Sequence, residues 1–402
     1  MGNTTGGLPY DKGESNEFGN DHWHVNEGSK KDDKEEKVTI FRFEKSQSNK
    51  LPIAKQCWSK LRTMKHPFIV SFINGAELED AIVLATEPVI PLAIWLKQQS
   101  ESDSDNNLFD EIIWGFRCII DALHFLHGTC GLIHGYLSHN AIYVTKNGDW
   151  KLGSLEMACN LTLSEDEQLF RTFEHMLGSP YRSPERRNGA YTGSSAFSSM
   201  DIFSLAHIFQ YVFEVTGKDV PSSFDQILRK MLSVEPSRRP VCSQILKCPI
   251  FSTEYISVMS SLTELSIKTP QESMELMTSL VNSDSTVPVS ACTHKLLPFV
   301  GRNLQIVAND FQNRDSREIC RQLVQSSMNL LEFLIGKGKI DELNFTKNVI
   351  PPLINLWALS DRVIRTSLLR TLKSLVTFIP NDIINKKIFD PMLSGFADSN
   401  AK

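Results

Sequence analysis

A chain of 402 residues is too long for one ordinary domain, so two are expected. With 41% hydrophobic and 22% charged residues it belongs with soluble globular proteins, not disordered or fibrous ones. A formal net charge of −5 gives no global attraction for nucleic acid or acidic membranes. The eight cysteines are scattered without a C-x-x-C pair, so neither a zinc site nor a disulfide framework is indicated, and a reducing, cytoplasmic compartment is expected. No apolar run is long enough to span a bilayer, and the N-terminus lacks a secretory hydrophobic stretch. Gly2 would permit N-myristoylation, although position 6 of that motif is Gly6, not Ser or Thr.

Residues 1–20 are rich in Gly, Asn, Thr and Ser and are expected to form a disordered tail. Lys30 to Lys37 is a mixed charge run that fits a solvated hairpin turn. Val38-Thr39-Ile40-Phe41-Arg42-Phe43 is β-branched and aromatic, the pattern of a strand. Ile53 to Met64 predicts a helix. His66-Pro67 ends it, and Phe68-Ile69-Val70 is expected to begin another strand. Ile82 to Glu87 is a further strand, stopped at Pro88. Leu92 to Gln99 predicts a short helix and Phe109 to His127 a long one, whose apolar residues repeat at three and four and bury one face. Asn147-Gly148 between Ala141–Val144 and Trp150–Leu152 is hairpin chemistry. Residues 200–251 are helical in pattern. The order is a small sheet-rich lobe, a hinge, and a mostly helical lobe.

Past residue 256 the texture changes. Ser and Thr accumulate to Thr293, a stretch expected as a linker with connecting helices over 256–290. Helical segments follow over 291–402. An echo at an offset of 39 places Pro352-Leu353-Ile354 against Pro391-Met392-Leu393, Trp357 against Phe396 and Asp361 against Asn400. Leu297-Pro298 opens a longer unit in the manner of Ile350-Pro351. A helical period near 40 is that of HEAT or armadillo units.

Four anchors, in order and at the right spacing, organise the first part. They are His134 in His134-Gly135-Tyr136-Leu137-Ser138-His139-Asn140-Ala141, Glu185 in Ser183-Pro184-Glu185, Asp201 in Asp201-Ile202-Phe203-Ser204-Leu205-Ala206, and Arg239 in Arg239-Pro240. Together they resemble the protein kinase fold over about residues 21–255. The resemblance implies that Asp201 holds the catalytic-loop backbone and that Arg239 pairs with Glu185. The chemistry-bearing positions are all replaced. In H-R-D-L-x-x-x-N the Asp is the base and the Asn a metal ligand; Tyr136 and Ala141 stand there. Phe41 replaces the phosphate-binding lysine of V-A-I-K, and its ion-pair partner, ten residues before Pro67, is Cys57. Ser154 replaces the metal-binding Asp of D-F-G. No G-x-G-x-x-G precedes the strand, and Trp23 fills the corresponding region. A nucleotide cleft without its lysine and both metal ligands forfeits a few kcal/mol per missing charge contact. No catalytic residue, metal or cofactor is therefore expected. Lys37, Arg42 and Lys45 are the nearby cations that could approach, and Glu156 is a candidate for a displaced metal role.

The phrases Asp149-Trp150-Lys151-Leu152-Gly153 and Asp361-Arg362-Val363-Ile364-Arg365, with Gly395-Phe396-Ala397-Asp398, resemble the Scy-like, or N-terminal-kinase-like, pseudokinases. That resemblance implies α+β architecture: a bilobal protein-kinase-like fold followed by an all-α HEAT/armadillo-type repeat segment. It implies an inactive scaffold or adaptor in Golgi-related membrane trafficking, peripheral at Golgi membranes, with vesicle-coat partners; one branch implies nuclear tRNA export. The sequence stops at Lys402 without the family's dibasic tail, which reads as a shortened array.

Two features stay open. Thr86, at the gatekeeper position, and Val89, which keeps its N–H beside Pro88, are candidate nucleotide contacts in a metal-independent switch. Arg362, Arg365, Arg370 and Lys373 share one face of a helix opposite Ile364, Leu368, Leu372, Leu375 and Ile379. They form a solvated repeat face or a candidate partner surface for an acidic protein or tRNA.

Overall fold

Strand β4 shows how the first lobe is built. In the computed structural model, which describes residues 7–13, 18–19, 22–101, 107–189, 194–282 and 287–394, the chain opens with β1 (Tyr10–Lys12), β2 (Phe18–Gly19), β3 (His24–Lys30) and β4 (Lys37–Glu44). Helix α1 (Leu51–Thr63) follows, then β5 (Phe72–Glu77) and β6 (Ala81–Thr86). The antiparallel sheet runs β1-β3-β4-β6-β5, with β2 also on β3. Side chains alternate across a strand. Val38 and Ile40 therefore face one way, into a core with Leu8, Tyr10, Ala81, Val83 and Ala85. Thr39, Phe41 and Phe43 face the other way, toward the second lobe. Phe41 sits opposite Val25 on one side and Leu84 on the other.

Two expectations need correction here. Tyr10–Lys12 lies in the stretch expected to be a disordered tail, yet it is an edge strand, because Leu8 and Tyr10 bury against the outer face of the sheet. Phe68–Val70 is not the start of a strand in this sheet. Phe68 and Val70 bond to Leu152, through Leu152 N to Phe68 O at 2.8 Å and Val70 N to Leu152 O at 2.9 Å, and strand β5 begins only at Phe72.

The hinge leads into β7 (Val89–Pro91), which joins β8 (Ile142–Thr145) and β9 (Trp150–Leu152) in a small sheet. Helix α2 (Leu92–Ser100) and the long α3 (Leu108–His124) begin the helical lobe, followed by α4 (Ser164–Phe173), α5 (Ser194–Thr216) and α6 (Ser222–Met231). Helix α3 is the lobe's axis. Its Phe116 packs on Phe209, Phe213, Phe224 and Trp150. Gly115 is required there, since a Cβ would run into the Trp150 ring.

The chain divides into two compact units, Met1–Thr253 and Glu254–Lys402. The second is all helix. The stretch expected as a connector carries α7 (Glu254–Thr263) and α8 (Pro270–Asn282). Then come α9 (Leu297–Asp310), α10 (Arg317–Gly336), α11 (Glu342–Asn348), α12 (Ile350–Trp357), α13 (Arg362–Leu375) and α14 (Phe389–Ser394). Helix α8 packs on α10 and α10 on α13, while α9 packs on α12 and on α10. The unit is thus a two-layered helical repeat in which α8 is a structural member rather than a tether. Of the residues echoed at an offset of 39, Pro352 lies in α12 and Pro391 in α14; Phe396 and Asn400 lie outside the described residues, as does Gly2.

Candidate functional site

The cleft of the first unit is where a kinase would hold its nucleotide, and each wall carries a filled position. At the hinge, Thr39 projects from β4. Its hydroxyl donates to Val89 O at 3.0 Å and accepts from Val89 N–H at 2.9 Å. Val89 therefore has no amide to offer a ligand, which corrects its reading as an open contact. Thr86 is fully buried, and its hydroxyl donates to Glu87 O at 3.0 Å and approaches Thr39 O at 3.4 Å. Its side chain is bonded within the sheet.

Further in, Phe41 replaces a cation with a ring. It packs edge-on against Tyr143 of β8 at 5.4 Å and Trp23 at 6.4 Å. Trp23 is buried, and its indole N–H donates to Glu156 Oε1 at 2.8 Å. Glu156 is itself 1% exposed and faces Cys57 on α1. Burial, reinforced by the Glu156 carboxylate, pushes the Cys57 thiol well above its ordinary range. Glu156 is thus engaged by an indole and a thiol, not poised for a metal, and no group of three metal-ligating side chains exists among the described residues. Ser154, at the metal-ligand position, adopts φ 52°, the left-handed region, and is the only described non-glycine residue to do so. The space left among Trp23, Phe41, Cys57, Leu84, Tyr143 and Ser154 is about 10 Å³. That is room for about one water molecule, whereas pockets for small ligands measure roughly 300–1,000 Å³.

The catalytic-loop position is closed as well. Tyr136 is buried among Ile53, Met157, Phe170 and Met200, under the helix α4 that follows the cleft. Its phenol lies 3.1 Å from His22 Nε2, and His22 Nδ1 lies 3.2 Å from Lys50 Nζ. An ammonium carries only donors, so Nδ1 accepts and the ring proton sits on Nε2, donating to the phenol. Ala141 is fully buried; its backbone bonds Ser138 and Gly153. His22–Tyr136 and Trp23–Glu156 both cross from the sheet lobe to the helical lobe. Gln56 Nε2 of α1 adds a third crossing, donating to Ala158 O at 3.0 Å.

The anchors form one connected frame. Asp201 accepts from His134 N–H at 2.7 Å, Gly135 N–H at 3.0 Å and the His127 ring at 2.9 Å. Burial alone would raise its pKa, but those three donors, His127 foremost, outweigh it and hold the carboxylate below its usual range. His134 accepts from Tyr136 N–H on Nδ1 and donates from Nε2 to Gly153 O at 2.9 Å. Burial keeps this imidazole neutral by lowering its pKa. Glu185 and Arg239 make a bidentate pair at 2.6 and 2.8 Å, sealed by the Phe203 ring at 5.0 Å. Gly135 stands where a kinase has arginine, and Arg186 takes up that place from the other side. It donates to Gly135 O at 2.7 Å and stacks on Phe170.

In the second unit, Arg362, Arg370 and Lys373 are exposed on α13, but Arg365 is half-buried. Its Nε donates to Leu359 O at 3.1 Å, so it closes the turn before its helix instead of joining the cationic face. Thr371, not Leu372, completes the fully buried stripe with Ile364, Leu368 and Leu375. Among the described residues no helix is long and apolar enough to cross a membrane.

No family model matches the chain. It is 25% identical over 390 residues to the probable inactive serine/threonine-protein kinase scy1 of Dictyostelium discoideum, across 94% of this chain and 45% of that one. Similarity to the mouse protein-associating with the carboxyl-terminal domain of ezrin is 24% over 384 residues, 90% of this chain and 48% of the relative. Human SCY1-like protein 2 is 26% identical over 282 residues, 57% and 30% of the two chains. The chain thus spans less than half the length of these relatives. Among solved structures, that of Cex1p covers 100% of this chain and 79% of its own, at a TM-score of 0.58 and 17% identity, a likeness of fold alone.

A kinase fold with its lysine, base and metal ligands replaced, and its cleft filled, is a pseudokinase. The chain is similar to SCY1-like pseudokinases from several organisms.

Proposed function

We propose that this protein is a catalytically inactive scaffold or adaptor: the kinase-fold unit presents a fixed surface, and the helical repeats supply an extended face for protein partners. One observation carries this reading. The groups that would grip a nucleotide are not merely missing; their places are filled by packed side chains, and His22–Tyr136 and Trp23–Glu156 bond across the cleft. The layered second unit supports a HEAT-type array. The family resemblance supports work in Golgi-related trafficking from the cytoplasmic side, with a nuclear tRNA export adaptor as the alternative role. A metal-independent nucleotide switch is disfavoured, because Val89 and Thr39 satisfy each other.

Linkage tests the reading. A ligand that binds only the folded state raises the melting temperature. ATP at millimolar concentration, with and without Mg²⁺, is expected to leave it unchanged, and labelled ATP is expected to yield no protein-bound phosphate. A nucleotide-dependent stabilisation would end the scaffold-only reading.

A further inference from the structure

Thr39 does more than pack. A hydroxyl has one proton and two lone pairs. Here it spends the proton on Val89 O and accepts from Val89 N–H, at 3.0 and 2.9 Å. The same residue thus presents a donor next to an acceptor to a single backbone residue, which is what the edge of a planar heterocycle presents to a peptide. Thr39 is 2% exposed and Val89 5%; Tyr143, whose ring packs on Phe41 of the same strand face, is 1% exposed. Both bonds are therefore dry, and breaking either strands a buried polar group. The Thr39 carbonyl is in turn approached by Thr86, which fixes the strand that carries the hydroxyl.

We propose that Thr39 is the internal ligand of the hinge and the residue that determines what the cleft admits: it excludes molecules that pair through a donor–acceptor edge, and it locks β4 to the segment joining the lobes. This rests on the scaffold reading above and assigns the exclusion to one side chain.

Hydrogen exchange of the intact protein tests it directly. The segment Glu87–Pro91 contains two prolines, so few amides report there and Val89 dominates any change. Thr39→Val keeps the shape and removes the hydroxyl; Thr39→Ser keeps the hydroxyl. Exchange at Val89 is expected to accelerate about tenfold in Thr39→Val, the worth of one lost buried hydrogen bond, and to stay within about twofold of the parent in Thr39→Ser. Equal exchange in all three proteins overturns the proposal. A second arm uses adenosine, which needs no phosphate contacts, on Thr39→Ala/Tyr143→Leu, checked for folding by circular dichroism. Stabilisation by millimolar adenosine in the double variant, and none in the parent or in Tyr143→Leu alone, is the expected result. A folded double variant that ignores adenosine overturns the exclusion claim while leaving the scaffold reading intact. Adenosine or ATP stabilising the parent itself sinks that reading instead.

Discussion

At the scale of single residues, stability concentrates in pairs whose members cannot be separated. The Glu185 and Arg239 side chains are 6% and 0% exposed. Glu185→Ala leaves a guanidinium in a dry site, and a loss of about 3–5 kcal/mol is expected by urea denaturation. Replacing both with Glu185→Leu/Arg239→Met is expected to cost less than the single change, because no charge is stranded. His66 makes a different prediction. It stacks on Phe125 at 4.9 Å, and burial, with the Lys151 charge adding to it, depresses its pKa from 6.5 to about 4. The folded value lies below the unfolded one, so the unfolded chain binds the proton first. The stability this neutral ring supports is whole above pH 6.5 and drains away as pH falls toward 4. His134 and His207 shift in the same direction, also chiefly by burial. His66→Gln should flatten the decline of the urea midpoint across that window; an unchanged slope would assign the decline to other groups. Thr39 shows the limit of reading residues singly. In Val38-Thr39-Ile40-Phe41 it looks like any β-branched strand residue, and only the fold brings Val89 to its hydroxyl.

At the scale of elements, periodicity made most of the chain legible. The β4 alternation, the α3 repeat and the Asn147-Gly148 hairpin follow from local chemistry, and the structure places their ends within three residues. What escaped was non-local. The edge strand β1 is polar by composition and is held by two apolar side chains reaching the sheet. The Trp23–Glu156 bond spans 133 positions. Helix ends are more predictable. Asp361, already singled out by its family phrase, caps α13 by accepting from Val363 and Ile364 N–H at 3.0 and 3.1 Å, and takes a third bond from Arg321 at 2.8 Å. Those bonds outweigh burial and lower its pKa. Asp361→Ala is expected to destabilise the repeat unit by about 1–2 kcal/mol, and Asp361→Asn by less, since the amide oxygen still caps. Gly115 reverses the usual rule. Alanine is the better helix former by about 1 kcal/mol, yet Gly115→Ala should lower the melting temperature, because overpacking against Trp150 costs about 1–3 kcal/mol.

At the scale of the molecule, the question is whether catalysis was lost at five positions or replaced by a different internal structure. The two cases separate experimentally. If only the five groups were missing, restoring them with Phe41→Lys, Cys57→Glu, Tyr136→Asp, Ala141→Asn and Ser154→Asp would return phosphoryl transfer. The cleft argues otherwise. Lys and Glu at 41 and 57 would enter a space of about 10 Å³ beside a buried Glu156. Asp at 136 would lose the bond to His22 and sit among Ile53, Met157 and Phe170. Buried charge without room for partners or water is destabilising by several kcal/mol. The fivefold variant is therefore expected to melt well below the parent and to transfer no label from ATP. Only variants that also clear Trp23, Thr39 and Tyr143 recover the volume a nucleotide needs. A fivefold variant that keeps the parent's melting temperature and phosphorylates a generic substrate would show that the filled cleft yields to its old ligand. The cross-lobe bonds would then be incidental to the loss of activity.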